Sequence, residues 1–455
     1  MTKMYAELHR PQFHFTAKAN WLNDPNGLVY RDGVWHLFFQ HNPNAPVWSN
    51  DMTWGHAISQ DLMHWEQLEH ALHPDSLGTI FSGSAVVDHS DSAGFGPGTL
   101  LAFYTAAGSA VTPARPFTQC LAFSVDNGEQ WSKFSENPVV DWIEGDNRDP
   151  KVIWHAASQQ WVMALYLADD RYALLVSKNA RRWQKIQELT LEADTECPDF
   201  FPMSDESGAE RWVFWSASGR YVIGSFDGKN FTQETGMLVC ERGYNGYAAQ
   251  TWSNAPNGRC VQISWMAGGL YPEMPFNQQM SIPVELKLKG SGVDAILTRQ
   301  PVAELDTLRD TSISVPSKTV SPGAPFVVES EAKLFDVSFA VARGSSKALY
   351  IVVRGQLFEI DWALARLKVV NGRPHRVGLV EESVDLPLSS AADVPLTFRF
   401  IVDLTSVEIF INDGEVSASF CYLPDGYKYS LVFYGAGDDQ LLENFELYEL
   451  KTIFR

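Results

Sequence analysis

The sequence predicts an all-β protein: a five-bladed β-propeller followed by a C-terminal β-sandwich. Three observations predict it. A short apolar strand recurs five times, a polar turn running into an aromatic residue follows four of the copies, and helical periodicity is nearly absent. At 455 residues the chain exceeds one ordinary core, so two domains are expected.

The recurring strand reads Trp35-His36-Leu37-Phe38-Phe39-Gln40, then Leu100 to Thr105, Trp161 to Tyr166, Trp212 to Ala217 and Cys260 to Trp265. The second element runs from Ile58 to Trp65, Phe123 to Trp131, Val176 to Trp183 and Gly224 to Phe231, each a strand, a polar hairpin turn and a return strand led by the aromatic. A third element precedes each copy, at Gly27–Tyr30, Gly83–Val87, Lys151–Trp154, Asp199–Pro202 and Ala248–Trp252. Five such units of four antiparallel strands describe a propeller over residues 1–300. A β-sandwich of that length would not explain the ordered repetition. The pattern stops near Pro301. Residues 301–315 read as a linker and 316–455 as the sandwich, with strand-like runs at Leu349–Val353, Thr397–Val402 and Val407–Ile411, the last entering an Asn412-Asp413-Gly414 turn.

Thirty-five basic against 55 acidic residues give a net charge of −20, which argues against nucleic acid and favours a neutral partner. No apolar run approaches a membrane span, and no apolar signal region follows Met1, which points to the cytoplasm, or to secretion if a leader is removed. Five scattered cysteines form no CxxC pair and suggest neither a disulfide framework nor a zinc site. His14, His41 and His56 lack ligand spacing and read as hydrogen-bonding framework; no metal or cofactor is called for. Fifteen tryptophans suit stacking on sugar rings, although most are expected in packing.

In a propeller the first strand of each blade lines the axis, and sites form where those strands begin. Three acids fall there: Asp24 in Asn23-Asp24-Pro25-Asn26-Gly27, Asp149 in Arg148-Asp149-Pro150, and Glu196 in Glu196-Cys197-Pro198-Asp199. Each stands one or two residues before a proline, which suits a strand start. Singly, each is as well explained by a turn aspartate, a structural ion pair or an exposed strand-end charge. Their matching placement on the repeat brings them to one axial pocket. Glycoside cleavage needs such a set, one carboxylic acid to protonate the leaving oxygen and a second carboxylate on the opposite face.

At these residues the sequence resembles glycoside hydrolase family 32, the invertases, inulinases and levanases. The resemblance covers nearly the whole chain, through Arg10 to Phe15, Asn20 to Gly27, Phe39 to Pro43, Trp54 to Ala57, Phe81 to Ala85, Arg148 to Val152, Glu196 to Asp199, Tyr247 to Thr251 and Ser406 to Phe410. It implies a retaining, exo-acting β-fructosidase that takes sucrose, fructo-oligosaccharides or fructans through a covalent intermediate. Asp24 would be the nucleophile, Glu196 the general acid/base, and Asp149 the stabiliser of the transition state, with Arg148 beside it. Asn23, Gln40, Trp48, Phe81 and Ser82 match positions lining the fructose pocket. Hydrogen-bond donors would keep Asp24 ionised, and Cys197 reads as packing. The family pattern is broken at Ser49 after Trp48, at Thr195 before Glu196 and at Pro275-Phe276-Asn277, all in the region beyond the fructose pocket. Rival readings are a fructosyltransferase sharing the intermediate, an inverting arabinan-cleaving propeller, and a non-catalytic fructan-binding protein. Oligomeric state is not readable.

Overall fold

The computed structural model describes residues 5–269, 271–370, 383–385, 394–423 and 429–454. Residues 20–301 form five antiparallel sheets in chain order. Their first strands are Asn20–Arg31, Thr79–Asp88, Arg148–His155, Asp199–Ser204 and Gly246–Thr251. These five inner strands neighbour one another around a ring, the fifth returning to the first, which makes this region a β-propeller. Among the described residues the only helical pieces are four short 3-10 segments.

Burial follows position within a sheet. Strands second from the axis, such as Val34–Asn42 and Thr99–Ala107, are buried along almost their whole length, because each is flanked by a neighbouring sheet on both faces. The outermost strand of the third sheet, Gln184–Thr190, is polar and largely exposed. The recurring turn has one construction throughout. Asp61, Asp126, Asn179 and Asp227 accept backbone N–H groups two to four residues ahead, and the indoles of Trp65, Trp131 and Trp183 donate back to Leu62, Gly128 and Ala180. The second element read from the sequence is therefore a side-chain-capped turn.

Inner strands of different sheets run side by side without a regular ladder, so side chains tie them. Ser84 Oγ donates to Pro150 O and accepts from Val152 N, while Gln250 Nε2 donates to Gly83 O and Gly83 N donates to Asn26 Oδ1. A side chain at Gly83 would strike the Phe103 carbonyl, so only glycine permits this approach. The fifth sheet detours before its third strand, and Phe276–Asn277 pairs in parallel with Asn20 and Trp21 of the first sheet.

The C-terminal region is a sandwich of two six-stranded sheets around Phe339, Phe358, Phe398, Phe400, Phe433 and Phe445. Its first strand, Arg309–Val320, pairs with Gln440–Leu450 along its length. The linker expected over 301–315 is thus corrected: after Pro301 a 3-10 segment spans Ala303–Leu308, and residues 309–315 already belong to the sandwich. The two regions pack directly on each other, since Ile401, Phe410 and Leu450 share the propeller's main cluster. Ion pairs and hydrogen bonds also cross the seam. His14, wholly buried, bridges Asp403 Oδ2 and Glu408 Oε1 at 2.7 Å each, and Arg299 pairs with Glu241, which also accepts from Ser417 Oγ and Ser419 N. His41 Nδ1 meets Trp21 O and His56 meets His36, so these rings serve as framework.

Candidate active site

The three acids converge where the inner strands begin. Asp24 sits in a bulge of the first strand, between Leu22, which pairs with His41, and Pro25, which pairs with Phe39. Its Oδ2 accepts from Ser82 Oγ at 2.6 Å and lies 3.7 Å from Cys197 Sγ. Asp149, buried at the start of the third strand, lies 3.5 Å from the same sulfur and accepts from Cys197 N at 3.1 Å. Glu196 precedes the fourth strand, and both of its oxygens are held: Arg148 Nη2 donates to Oε1 and Tyr247 OH to Oε2, each at 2.7 Å. Arg148 Nε is also 3.8 Å from Asp149 Oδ2, so one guanidinium spans two of the carboxyls. Asp24, Ser82, Asp149, Cys197 and Gln250 line one small cavity at the foot of the cluster. A wider cavity, about 700 Å³, is lined by the C-terminal ends of the second to fifth inner strands, at the other end of the axis.

The remaining expected residues surround this cluster. Asn23 is buried and accepts from Trp21 Nε1. Gln40 faces the bulge from the adjacent strand, buried, with no partner for its Nε2 among the described residues. Trp48, half exposed, meets Phe81 edge to face at 6.2 Å, next to Ser82. No expected member lies apart. Two contributors carried no role in the sequence reading: Tyr247, and Tyr172, whose hydroxyl donates to the Glu196 carbonyl. Tyr247 falls inside a motif matched above, and that was its one available signal.

Three carboxyls crowd together with one guanidinium, which reaches only Asp149 and Glu196. Burial pushes Asp24 above the usual carboxylate range, the Glu196 charge adds to this, and the bonds from Ser82 and Asn23 only partly oppose it. Asp149 is pushed up to about 7, by burial first and then by Asp24 and Glu196, against the pull of Arg148. The donors Ser82 and Asn23 favour the ionised form of Asp24, as expected, while burial works against them. Arg148, itself penalised by burial, is held charged by Asp149 and Glu196. Burial raises the Cys197 thiol far above its usual value, so it is neutral and packs between the acids rather than attacking.

Comparison with known proteins places nearly the whole chain in one family. Residues 14–301 match the glycosyl hydrolases family 32 N-terminal domain, and residues 304–449 the family 32 C-terminal region. A levanase of Bacillus subtilis (strain 168) is 34% identical, across 99% of this chain and 72% of its own. An extracellular exo-inulinase of Aspergillus awamori is 31% identical, across 92% of this chain and 90% of its own. The crystal structure of the exo-inulinase from Aspergillus awamori superposes with a TM-score of 0.85 at 26% identity, covering 99% of this chain and 100% of that one. A β-fructofuranosidase of Schwanniomyces occidentalis complexed with fructosyl-erythritol gives 0.86 at 25% identity, covering 99% of both.

Proposed function

The chain belongs to glycoside hydrolase family 32 and is a retaining, exo-acting β-fructosidase acting on sucrose and fructans, and on that premise we propose how its residues divide the work. Asp24 attacks the anomeric carbon of the terminal fructose while Glu196 gives its proton to the departing glycosidic oxygen. The carbon–oxygen bond breaks, a fructosyl ester forms on Asp24, and Glu196 then takes a proton from the water that hydrolyses it. Ser82 holds one oxygen of Asp24, which leaves the other to attack. Arg148 and Tyr247 fix the plane of the Glu196 carboxyl, and the Tyr247 hydroxyl can accept as well as donate, so Oε2 is able to carry the proton. Asp149 grips sugar hydroxyls as positive charge builds on the ring; hydroxyl donors add to the bonds its buried carboxylate accepts from Cys197.

A single observation carries this reading: Cys197 joins the carboxyls of Asp24 and Asp149, while Arg148 joins those of Asp149 and Glu196, so the three acids form one connected site. The test is stereochemical. Two inversions give net retention, so NMR of sucrose hydrolysis should show β-fructofuranose first. Initial α-fructofuranose, before mutarotation, would remove Asp24 as nucleophile. Comparing sucrose, sucrose 6-phosphate, 1-kestose, inulin and levan under the same conditions assigns substrate preference. The departures at Ser49, Thr195 and Phe276-Asn277 lie on the side where the rest of the substrate would extend.

A further inference from the structure

The backbone around the acids is held in an unfavourable conformation. Asp149, Glu196, Cys197 and Ala248 all have left-handed φ angles, of 63°, 59°, 40° and 52°. Asp visits this region more readily than most types, but Glu, Cys and Ala take it only where their surroundings impose it. The inner strand carrying Asp24 differs, since its left-handed positions are Asn20 and Gly27, residue types that adopt the region readily.

Two or three residues beyond each unfavourable group stands a polar side chain, and the three meet on the axis. Lys151 follows Asp149, Asp199 follows Cys197, and Thr251 follows Ala248. Lys151 Nζ lies 3.0 Å from Asp199 Oδ1 and donates to Thr251 O at 2.7 Å and Thr251 Oγ1 at 3.1 Å. Thr251 N donates to Asp199 Oδ2 at 2.6 Å, and its hydroxyl to Asp199 Oδ1 at 3.2 Å. All three residues are at most 3% exposed.

We propose that Lys151, Asp199 and Thr251 form an axial clasp of positioning residues, which ties the third, fourth and fifth inner strands together and thereby holds Asp149 and Glu196 in register with Asp24. Tyr247, the hydrogen-bond partner of Glu196, precedes Ala248 and is held by the same clasp. No member of the clasp contacts the three acids through a hydrogen bond or ion pair, so it acts through the backbone. A buried pair of this kind is no better for stability than apolar residues of similar size, so stability alone does not account for it. The inference rests on the acid/base role given to Glu196; Glu196→Ala and the parent's own turnover test that role, and ratios of variant to parent test the clasp.

The test is the double variant Lys151→Met/Asp199→Leu, which removes the ion pair without leaving a buried charge unpaired. Cooperative unfolding checks that it folds. Sucrose needs a proton on its leaving oxygen, whereas β-fructofuranosyl fluoride releases fluoride without one. With Glu196 out of register, kcat on sucrose falls by about 100-fold with KM within about three-fold, and the loss on the fluoride is about ten-fold smaller. A folded variant with sucrose kcat near the parent's, or with equal losses on both substrates, overturns the proposal. Thr251→Val keeps the fold and the side-chain shape should the double variant fail to fold. It should show the same ordering at about five-fold on sucrose, and no selective loss there overturns the proposal equally.

Discussion

The pocket and the domain seam both bury clusters of charge, and they treat them in opposite ways. At the seam every carboxylate is satisfied. Burial works to raise Asp403, but the His14 bond and the N–H groups of Gln12 and Phe13 outweigh it and hold the carboxyl below its ordinary range. In the pocket one cation, Arg148, serves Asp149 and Glu196 but not Asp24, and Asp24 and Asp149 end above their ordinary range. Matched charge fixes one domain upon another; unmatched charge leaves a site that gains from what a substrate brings, here hydroxyl donors and a departing oxygen in need of a proton.

The strongest way to break this contrast is to remove an acid. Asp24→Ala and Glu196→Ala should each lower kcat by about 10⁴-fold or more, while the melting temperature does not fall, because each deletion relieves like-charge crowding. A variant of either kind retaining a tenth of parental activity removes that residue from the chemistry. At the seam the effects exchange places. His14→Leu leaves Asp403 and Glu408 buried without their cation, and should destabilise the protein by about 3–5 kcal/mol while kcat below the melt stays within about two-fold. Lost turnover with unchanged stability would place His14 in the site instead.

Titration sharpens the comparison. His14 is pushed up to about 9: burial alone would lower it, and the bonds to Asp403 and Glu408 outweigh that. A raised folded value means the contribution is fully present below about pH 6.5, the unfolded value, and is lost as pH rises through about 9. Burial lowers His36 and His41 to about 4, so the unfolded chain takes up protons first and stability declines as pH falls from about 6.5 toward 4. Melting temperature across pH should thus peak near 6.5, and the alkaline decline should flatten in His14→Leu; an unchanged alkaline limb would refute the charged bridge. The smallest effect belongs to Arg148→Gln. Arg148 lowers Asp149, so its removal should move the pocket's apparent titration in kcat/KM to higher pH, and a downward move would contradict the shared-guanidinium arrangement.

The repeat was legible because all five sheets reuse the same buried second strand and four reuse the same capped turn, and both leave short-range patterns. The three acids were legible because each sits just ahead of a proline at a strand start. Tyr247 and the Lys151–Asp199–Thr251 contacts were not, since they depend on which strands become neighbours around the ring. The left-handed backbone at Glu196 and Cys197 was invisible for a related reason: neither residue type favours it, and tertiary contacts impose it. The linker was misplaced because the propeller pattern stops near Pro301 and the Ser/Pro-containing stretch from Ser312 to Pro325 resembles a loop in composition, although most of residues 309–320 pair along an edge strand where polar side chains and proline are tolerated.

Pairing of Phe276–Asn277 with Asn20 and Trp21 also bears on how the molecule is made. A chain leaving the ribosome N-terminus first produces the Asp24 strand early, yet the segment that pairs beside its start arrives 256 residues later. Until then the strand keeps an unpaired edge, and contacts of such long sequence separation form late and slowly. Catalytic competence should therefore appear only once the fifth sheet has been synthesised, whatever earlier sheets have already folded.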